Sequence, residues 1–156
     1  MDLGLSERVY IVTGGGRGLG RATADALVAE GARVVVSGRS EVTLAGAVSA
    51  LGDAAVGVVA DNADPGTPAR LIEAARSRWG RVDGALVSVG GPPFGGVLDI
   101  ADDDWTRSFS SVFLGAVRLC RELCGVLPEG GSIALVLSSS VKAPIPGLGV
   151  SNGLRP

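Results

Sequence analysis

The sequence predicts an α/β fold in which helices cover both faces of a mostly parallel sheet. Strand-like and helix-like segments alternate along the chain, with strands expected at 8–13, 33–37, 55–60, 83–89 and 131–138 and helices at 18–30, 40–51, 66–79 and 103–126. The strand segments are nearly continuous apolar runs, which are typical of parallel strands that are buried on both faces. Their alternation with helices favours a doubly wound sheet with right-handed crossovers.

The first strand leads into a turn that is very rich in glycine. Residues 13–20 read Thr-Gly-Gly-Gly-Arg-Gly-Leu-Gly, and the helix-like segment that follows ends at Gly31. Glycine lets the backbone pass where a Cβ atom would clash, and the free amides that open a helix attract an anion. The alternative is a tight turn without a ligand. We expect the pyrophosphate of a dinucleotide to be bound here, by Gly14, Gly16, Arg17, Gly18, Leu19 and Gly20.

The end of the second strand indicates which dinucleotide is bound. In NAD-binding proteins an acidic residue stands there, about 20 residues beyond the glycines, and takes the ribose 2′-hydroxyl. Here the segment 37–40 reads Ser-Gly-Arg-Ser. We therefore predict NADP(H) rather than NAD(H), because Arg39 would pair with a 2′-phosphate, assisted by Arg17 and by the hydroxyls of Ser37 and Ser40. The alternative is that both arginines are solvated surface residues.

Two further segments complete the predicted cofactor site. Asp61 and Asn62 follow the third strand, where they either hold the adenine edge or form a polar turn. The fourth strand leads into a loop rich in glycine and proline at 90–96, and ligands bind beside such strand ends in doubly wound folds. We assign Gly90, at the start of this loop, to the cofactor site.

The long fourth helix contains both cysteines of the chain. Cys120 and Cys124 lie four residues apart, on one helical face, and the chain has no histidine to complete a metal site. We interpret them as small, buried apolar residues, with a redox or metal role as the alternative. The last predicted helix begins near Ser151, close to the end of the chain. We expect a truncated version of a longer protein, or a partner chain that covers the last strand.

Length and composition limit the possible classes of protein. The 156 residues have the length of one domain, and 46% hydrophobic residues can fill a core. A net charge of −2 gives no general attraction to nucleic acid or to anionic membranes. No apolar run approaches the roughly 18 residues of a membrane span, and the acidic N-terminal segment lacks a signal peptide's basic start. We expect a single domain over 1–156, in a cytoplasmic protein.

Together these motifs resemble the short-chain dehydrogenase/reductase family. The segments that resemble it are residues 13–20, Asp61, 103–107, 130–133, 138–140 and 146–148. The resemblance implies a Rossmann-type sheet and hydride transfer between NADP(H) and a small-molecule carbonyl or alcohol. It also implies a homo-oligomer assembled through the fourth and fifth helices. Members of the family normally run considerably longer, so their substrate loop and last strands are absent here.

The positions that correspond to the family's active site carry different residues. Its Asn-Asn-Ala-Gly corresponds to Val87–Gly90, and its asparagine in the fourth helix corresponds to Val112. Its catalytic serine corresponds to Ser138, and its Tyr-x-x-x-Lys corresponds to Ser151 and Arg155. A serine hydroxyl is far less acidic than a phenol, and arginine cannot relay a proton. We expect Ser138, Ser151 and Arg155 to polarise the substrate oxygen while water supplies the proton.

Other readings of these residues stay open. Lys142, just past the serine cluster, is either a substitute acid or a loop residue that faces solvent. Without tyrosine and lysine at the expected positions, the chain is alternatively a catalytically impaired NADP(H)-binding module. A third possibility is a fragment that binds nothing and persists through self-association.

Overall fold

One five-stranded parallel sheet organises the computed structural model, which describes residues 3–155. The strands are β1 Val9–Val12, β2 Arg33–Gly38, β3 Ala55–Val59, β4 Gly84–Val87 and β5 Ser132–Leu135. The helices are α1 Gly18–Ala29, α2 Glu41–Leu51, α3 Thr67–Trp79, α4 Asp102–Ser108, α5 Gly115–Cys124 and α6 Gly149–Leu154. The strand order is β3-β2-β1-β4-β5, with every pair parallel. The predicted doubly wound, Rossmann-type fold class is confirmed.

Two apolar clusters cover the opposite faces of the sheet. On one face Val9, Ile11 and Val35 pack against helices α3 and α5 through residues such as Leu71 and Leu123. On the other face the neighbouring strand residues meet α1 and α2, and the members of that cluster are Val12, Ala24, Val34, Val36, Leu44, Leu51 and Ala55. Burial of these side chains on both faces explains why β1 and β2 read as uninterrupted apolar runs.

The predicted fourth helix differs from the observed one. Instead of one continuous α-helix over 103–126, α4 and α5 are separated by a π-helical segment, Phe109–Leu114. At the point where α5 begins, Gly115 lies so close to the carbonyl oxygen of Asn62 that no side chain would fit there. π-Helical turns inside α-helices are often found at functional sites.

The β5 edge of the sheet is more open than its centre. Leu135 and Leu137 are about half exposed, and no strand among residues 3–155 pairs with the outer edge of β5. The predicted last helix is present as α6, which begins at Gly149 rather than near Ser151. None of the helices in the described part of the chain has the length and apolarity needed to cross a membrane.

Candidate functional site

The glycine turn requires glycine at several of its positions. Gly14 and Gly18 have positive φ angles of 62° and 58°. A Cβ atom on Gly14 would also lie 2.7 Å from the carbonyl oxygen of Ser88. A Cβ atom on Gly20 would lie 2.5 Å from the carbonyl oxygen of Gly14, so α1 packs directly against the turn that precedes it. The motif that predicted the phosphate site is therefore a closely packed strand–helix junction.

The turn is attached to the strands on both sides. Thr13 Oγ1 donates a hydrogen bond of 2.8 Å to the carbonyl oxygen of Ser88 and accepts one of 2.9 Å from the Ser88 amide. On the other side the Gly15 amide donates to the carbonyl oxygen of Ser37, at 3.0 Å. Sequence reasoning did not assign these positioning roles to Thr13 and Ser88, because the two residues belong to strands that are distant in the chain.

The N-terminus of α1 can accept an anion. Arg17 is the N-cap residue, its side chain makes no capping hydrogen bond, and the first turn contains no acidic residue. The first backbone amides of α1 therefore lack a capping partner, and no acidic side chain neutralises the positive end of the helix dipole. A pyrophosphate group suits this position because it is an anion with several acceptor oxygens. Leu19, in the same turn, is largely exposed.

Arg39 extends over the same end of the sheet. Its Nη2 atom lies 4.0 Å from the position that a Cβ atom on Gly90 would take, so the guanidinium reaches from the end of β2 toward the end of β4. Strand β1 and its glycine turn lie between these two strands. Neither Arg39 nor Arg17 has an ion-pair partner among residues 3–155. Both guanidinium groups keep their donors for an anionic ligand.

The two predicted hydroxyl donors, Ser37 and Ser40, are less available to a ligand than Arg39. Ser40 caps α2, since its Oγ accepts a hydrogen bond of 3.3 Å from the Thr43 amide. Ser37 is 1% exposed at the end of β2. At the end of β2 the free positive charge therefore comes from Arg39, and a contact between either serine and a phosphate stays a prediction.

Asp61 stabilises the turn that follows β3. Its carboxylate accepts a hydrogen bond of 2.9 Å from the Ala63 amide, and its carbonyl oxygen accepts one of 2.6 Å from Thr67 Oγ1. Arg118, on α5, donates to the carbonyl oxygen of Ala63 at 3.1 Å. These contacts fix the position of Asp61 and Asn62. That the two residues also hold an adenine ring stays a prediction.

The three predicted catalytic residues lie on two neighbouring segments. The Ser138 amide donates to the carbonyl oxygen of Arg155 at 3.3 Å, which joins the end of β5 to the end of α6. Ser138 Oγ accepts hydrogen bonds from the Ser140 amide at 3.2 Å and from Ser140 Oγ at 2.8 Å. A hydroxyl has one donor and two acceptor sites, so the hydrogen of Ser138 remains free to donate.

Ser151 and Arg155 carry buried polar atoms without partners. Ser151 is 2% exposed, and its Oγ makes no hydrogen bond; the same is true of the buried Nε of Arg155. Arg155 lines a cavity of about 30 Å³ whose other walls are apolar, formed by Val87, Val89, Val112, Ala116, Leu135, Val136, Leu137 and Leu154. A buried donor without an acceptor costs about 1–3 kcal/mol, and such atoms are concentrated at functional sites.

The other candidate groups lie apart from this arrangement. Lys142 is exposed. Burial, together with the neighbouring Cys124, raises the pKa of the Cys120 thiol, which disfavours the reactive thiolate. Cys120 is partly buried but Cys124 is exposed, so the prediction that both are buried is wrong for Cys124. In residues 3–155 no cluster of three or more His, Cys, Asp or Glu could hold a metal ion.

Comparison with known proteins identifies the family. The profile described as short chain dehydrogenase matches residues 8–151, which is most of the chain. The chain belongs to the short-chain dehydrogenase family. This short-chain dehydrogenase is 34% identical over 148 residues to a versicolorin reductase from Emericella nidulans, a match that covers 92% of this chain and 55% of that protein. The chain thus spans about half the length of the curated relatives it matches.

Solved structures resemble this short-chain dehydrogenase over nearly its whole length. L-Sorbose reductase from Gluconobacter frateurii, complexed with NADPH and L-sorbose, is 27% identical with a TM-score of 0.89; the match covers 99% of this chain and 61% of that one. 3-Ketoacyl-(acyl-carrier-protein) reductase from Brucella melitensis, complexed with NADH, is 25% identical with a TM-score of 0.91. That match covers 97% of this chain and 65% of the other. The predicted family membership is confirmed.

An exposed apolar stripe runs along the π-helical segment and α5 of this short-chain dehydrogenase. Phe109 and Phe113 stack with ring centroids 5.4 Å apart, and Val117 continues the same face. The stripe lies where the resemblance predicts contacts between subunits. The homo-oligomer stays a prediction.

Proposed function

We propose that this short-chain dehydrogenase is an NADP(H)-dependent oxidoreductase that acts on a carbonyl or alcohol group in a small molecule. The observation that carries the proposal is the position of Arg39, which has no ion-pair partner among residues 3–155 and extends over the glycine turn toward Gly90. The names of the similar proteins support a nicotinamide dinucleotide in general, because one solved structure contains NADPH and another NADH. The arginine supports the phosphorylated form.

The residues at the carboxyl end of the sheet fit such a cofactor. The uncapped amides of α1 would hold the pyrophosphate, and Arg39 with Arg17 would hold a 2′-phosphate. An acidic side chain in place of Arg39 would repel that phosphate. When bound, the nicotinamide ring supplies or accepts the hydride.

The serines and Arg155 would act on the substrate oxygen. Ser138 has a free hydroxyl hydrogen, because its oxygen already accepts two hydrogen bonds. Ser151 Oγ and Arg155 Nε are buried donors that lack acceptors, and an oxygen with developing negative charge would satisfy them. Arginine is always charged, so Arg155 stabilises this charge but does not transfer a proton. The proton therefore comes from water.

The test is NADPH consumption by wild type and by the double variant Ser138→Ala/Ser151→Ala against a panel of carbonyl compounds. Loss of two donors to the substrate oxygen should lower kcat at least about 100-fold, while NADPH affinity remains within about twofold of wild type, since neither serine belongs to the predicted nucleotide site. The matched control is Ser49→Ala, an exposed serine on α2, which should behave as wild type.

Two results would contradict the proposal. Equal turnover by wild type and by the double variant would remove the serines from the reaction. NADPH binding without turnover of any carbonyl or alcohol would instead support the catalytically impaired NADP(H)-binding module.

A further inference from the structure

A cluster of exposed apolar side chains follows β4. Phe94, Val97 and Leu98 are 79%, 63% and 98% exposed, and we refer to these three residues as the apolar rim. They belong to one loop at the carboxyl end of the sheet, the end that carries the candidate site. Three large apolar side chains so close together in one loop form a patch of the kind that marks a binding surface.

The loop of the apolar rim is bonded to the segment that leads into α6. The Gly95 amide donates to the carbonyl oxygen of Gly147 at 2.7 Å, and the Gly149 amide donates to the carbonyl oxygen of Gly95 at 2.9 Å. These bonds form a parallel bridge between Gly95 and Leu148. Helix α6 starts at Gly149 and carries Ser151, so the rim is fixed to the element that holds a predicted catalytic residue.

Close packing keeps this junction rigid. The ring of Phe94 lies against the backbone of Gly147, and a Cβ atom on Gly149 would lie 2.9 Å from the Val97 amide nitrogen. The Asn152 side chain accepts a hydrogen bond of 3.1 Å from the Ile145 amide and donates one of 3.0 Å to its carbonyl oxygen. The rim therefore has a defined position beside α6.

The segments that carry and face the rim are poor in charged residues. Residues 88–98 and 143–154 contain no Asp, Glu, Lys or Arg, and the charged groups next to them are the carboxylate of Asp99, beside Gly96, and the guanidinium of Arg39, near Gly90. An anionic group placed here would lose water and meet the like charge of Asp99, and a polyhydroxylated group would lose water against the apolar side chains of the rim. An apolar group would instead bury its surface against the rim, which is favourable.

We propose that the apolar rim selects the substrate class: an uncharged carbonyl or alcohol compound whose body is an aryl group or a long alkyl chain. The inference rests on the proposed oxidoreductase function, since it assigns the rim to the substrate of that reaction. Ser138 and Ser151 would bind the oxygen of the compound, and the rim would bind its apolar body.

The experiment compares an aryl ketone, 2-acetylnaphthalene, with a polyhydroxylated ketone, a ketohexose, in the presence of NADPH. The kcat/KM of wild type should be roughly 100-fold higher for the aryl ketone than for the ketohexose. Phe94→Ser should lower the kcat/KM for the aryl ketone by about tenfold, in line with the discrimination that apolar pockets achieve. Leu98→Ser should also lower the kcat/KM for the aryl ketone without affecting folding, because Leu98 is almost fully exposed. The matched control is Val42→Ser on α2, where an apolar side chain is 85% exposed on a different element; it should change nothing.

A binding measurement separates this inference from the proposed function. Fluorescence titration of 2-acetylnaphthalene into the NADPH-saturated protein should give saturable binding that both rim variants weaken. If no ketone is reduced but this binding is present and sensitive to the rim, the oxidoreductase proposal fails and the apolar site stands. An equal kcat/KM for the ketohexose and the aryl ketone would overturn the proposed role of the rim. So would unchanged kinetics and unchanged binding of the aryl ketone in both rim variants. A change of oligomeric state in Leu98→Ser without any effect on substrate would assign the rim to a subunit contact and overturn it as well.

Discussion

The two sides of the sheet hold their candidate functional residues in different ways. On the β1–β2 side the glycine turn is one continuous segment, 13–20, next to strands whose core residues are fully buried. On the β4–β5 side the polar residues come from separate segments, and β5 is partly exposed. The turn is bonded to its neighbouring strands, as the Thr13–Ser88 bonds illustrate, whereas Ser151 and Arg155 each have a buried polar atom without a partner.

We propose that the β1–β2 side binds the cofactor and that the β4–β5 side carries the residues that act on the substrate. The β1–β2 side, where we propose that the nucleotide binds, is held in place by the bonds from the turn to its neighbouring strands and by its close glycine contacts. On the β4–β5 side Ser151 Oγ and Arg155 Nε are buried without partners, at a cost in stability, and we propose that a substrate oxygen satisfies them. We therefore expect changes in the turn to abolish cofactor binding and changes in the serines to affect turnover alone.

The largest effect in the turn is expected from Gly20→Ala. The new Cβ atom would meet the carbonyl of Gly14 at 2.5 Å and would push α1 away from the turn. NADPH binding should weaken roughly 100-fold, which corresponds to about 2.7 kcal/mol, as measured by fluorescence titration. The control is Gly46→Ala inside α2, where a Cβ atom meets nothing within 4 Å. It should leave NADPH binding unchanged and stabilise the fold by about 0.5–1 kcal/mol. Wild-type affinity in Gly20→Ala would show that the turn does not bind the cofactor.

An effect on stability alone is expected at the opposite end of the sheet. The buried carboxylate of Asp83 accepts hydrogen bonds from Arg81 at 2.5 and 2.8 Å, from Arg8 at 2.9 Å and from the Val9 amide at 2.9 Å. Asp83→Asn should lower the free energy of unfolding by about 1.5–2.5 kcal/mol, because the buried side chain loses its charge-assisted hydrogen bonds while the half-exposed arginines stay solvated. NADPH affinity should not change. Asp25→Asn, in an exposed ion pair, is the control and should cost less than about 1 kcal/mol.

The same carboxylate gives a pH dependence. Burial alone would raise the pKa of Asp83, but the hydrogen bonds from Arg81, the Val9 amide and Arg8 together hold that pKa below its ordinary value. This stabilisation is fully present above about pH 4, the value for an unfolded chain, and is lost as the pH falls below it. Urea unfolding between pH 3 and pH 6 should show a steeper loss of stability for wild type than for Asp83→Asn. Equal slopes would contradict the assignment.

The sequence was sufficient to predict the fold because its signals are local. Apolar runs located each strand. The glycine turn was recognisable because Gly14 and Gly18 adopt positive φ angles, which glycine does more readily than other residues. The π-helical segment Phe109–Leu114 could not be predicted, because it ends where Gly115 meets Asn62, far away in the chain. Strand and helix ends also shifted by a few residues.

The candidate site was predictable in part. Counting along the family motif placed Ser138 and Arg155 in one site, and their backbone hydrogen bond shows that they are neighbours. That Ser40 caps a helix, or that Ser151 is buried without a partner, depends on packing between segments and has no local signal. Thr13 was not recognised as a positioning residue for the same reason.

The most direct test of the nucleotide assignment is a pair of dissociation constants, for NADPH and for NADH, measured with wild type, Arg39→Gln and the control Arg121→Gln. Arg121 is an exposed arginine on α5. Wild type and the control should bind NADPH at least about tenfold more tightly than NADH, as expected for charge-assisted hydrogen bonds to the 2′-phosphate. Arg39→Gln should remove most of that preference. Equal affinity of wild type for the two cofactors, or a preference that Arg39→Gln leaves intact, would contradict the assignment.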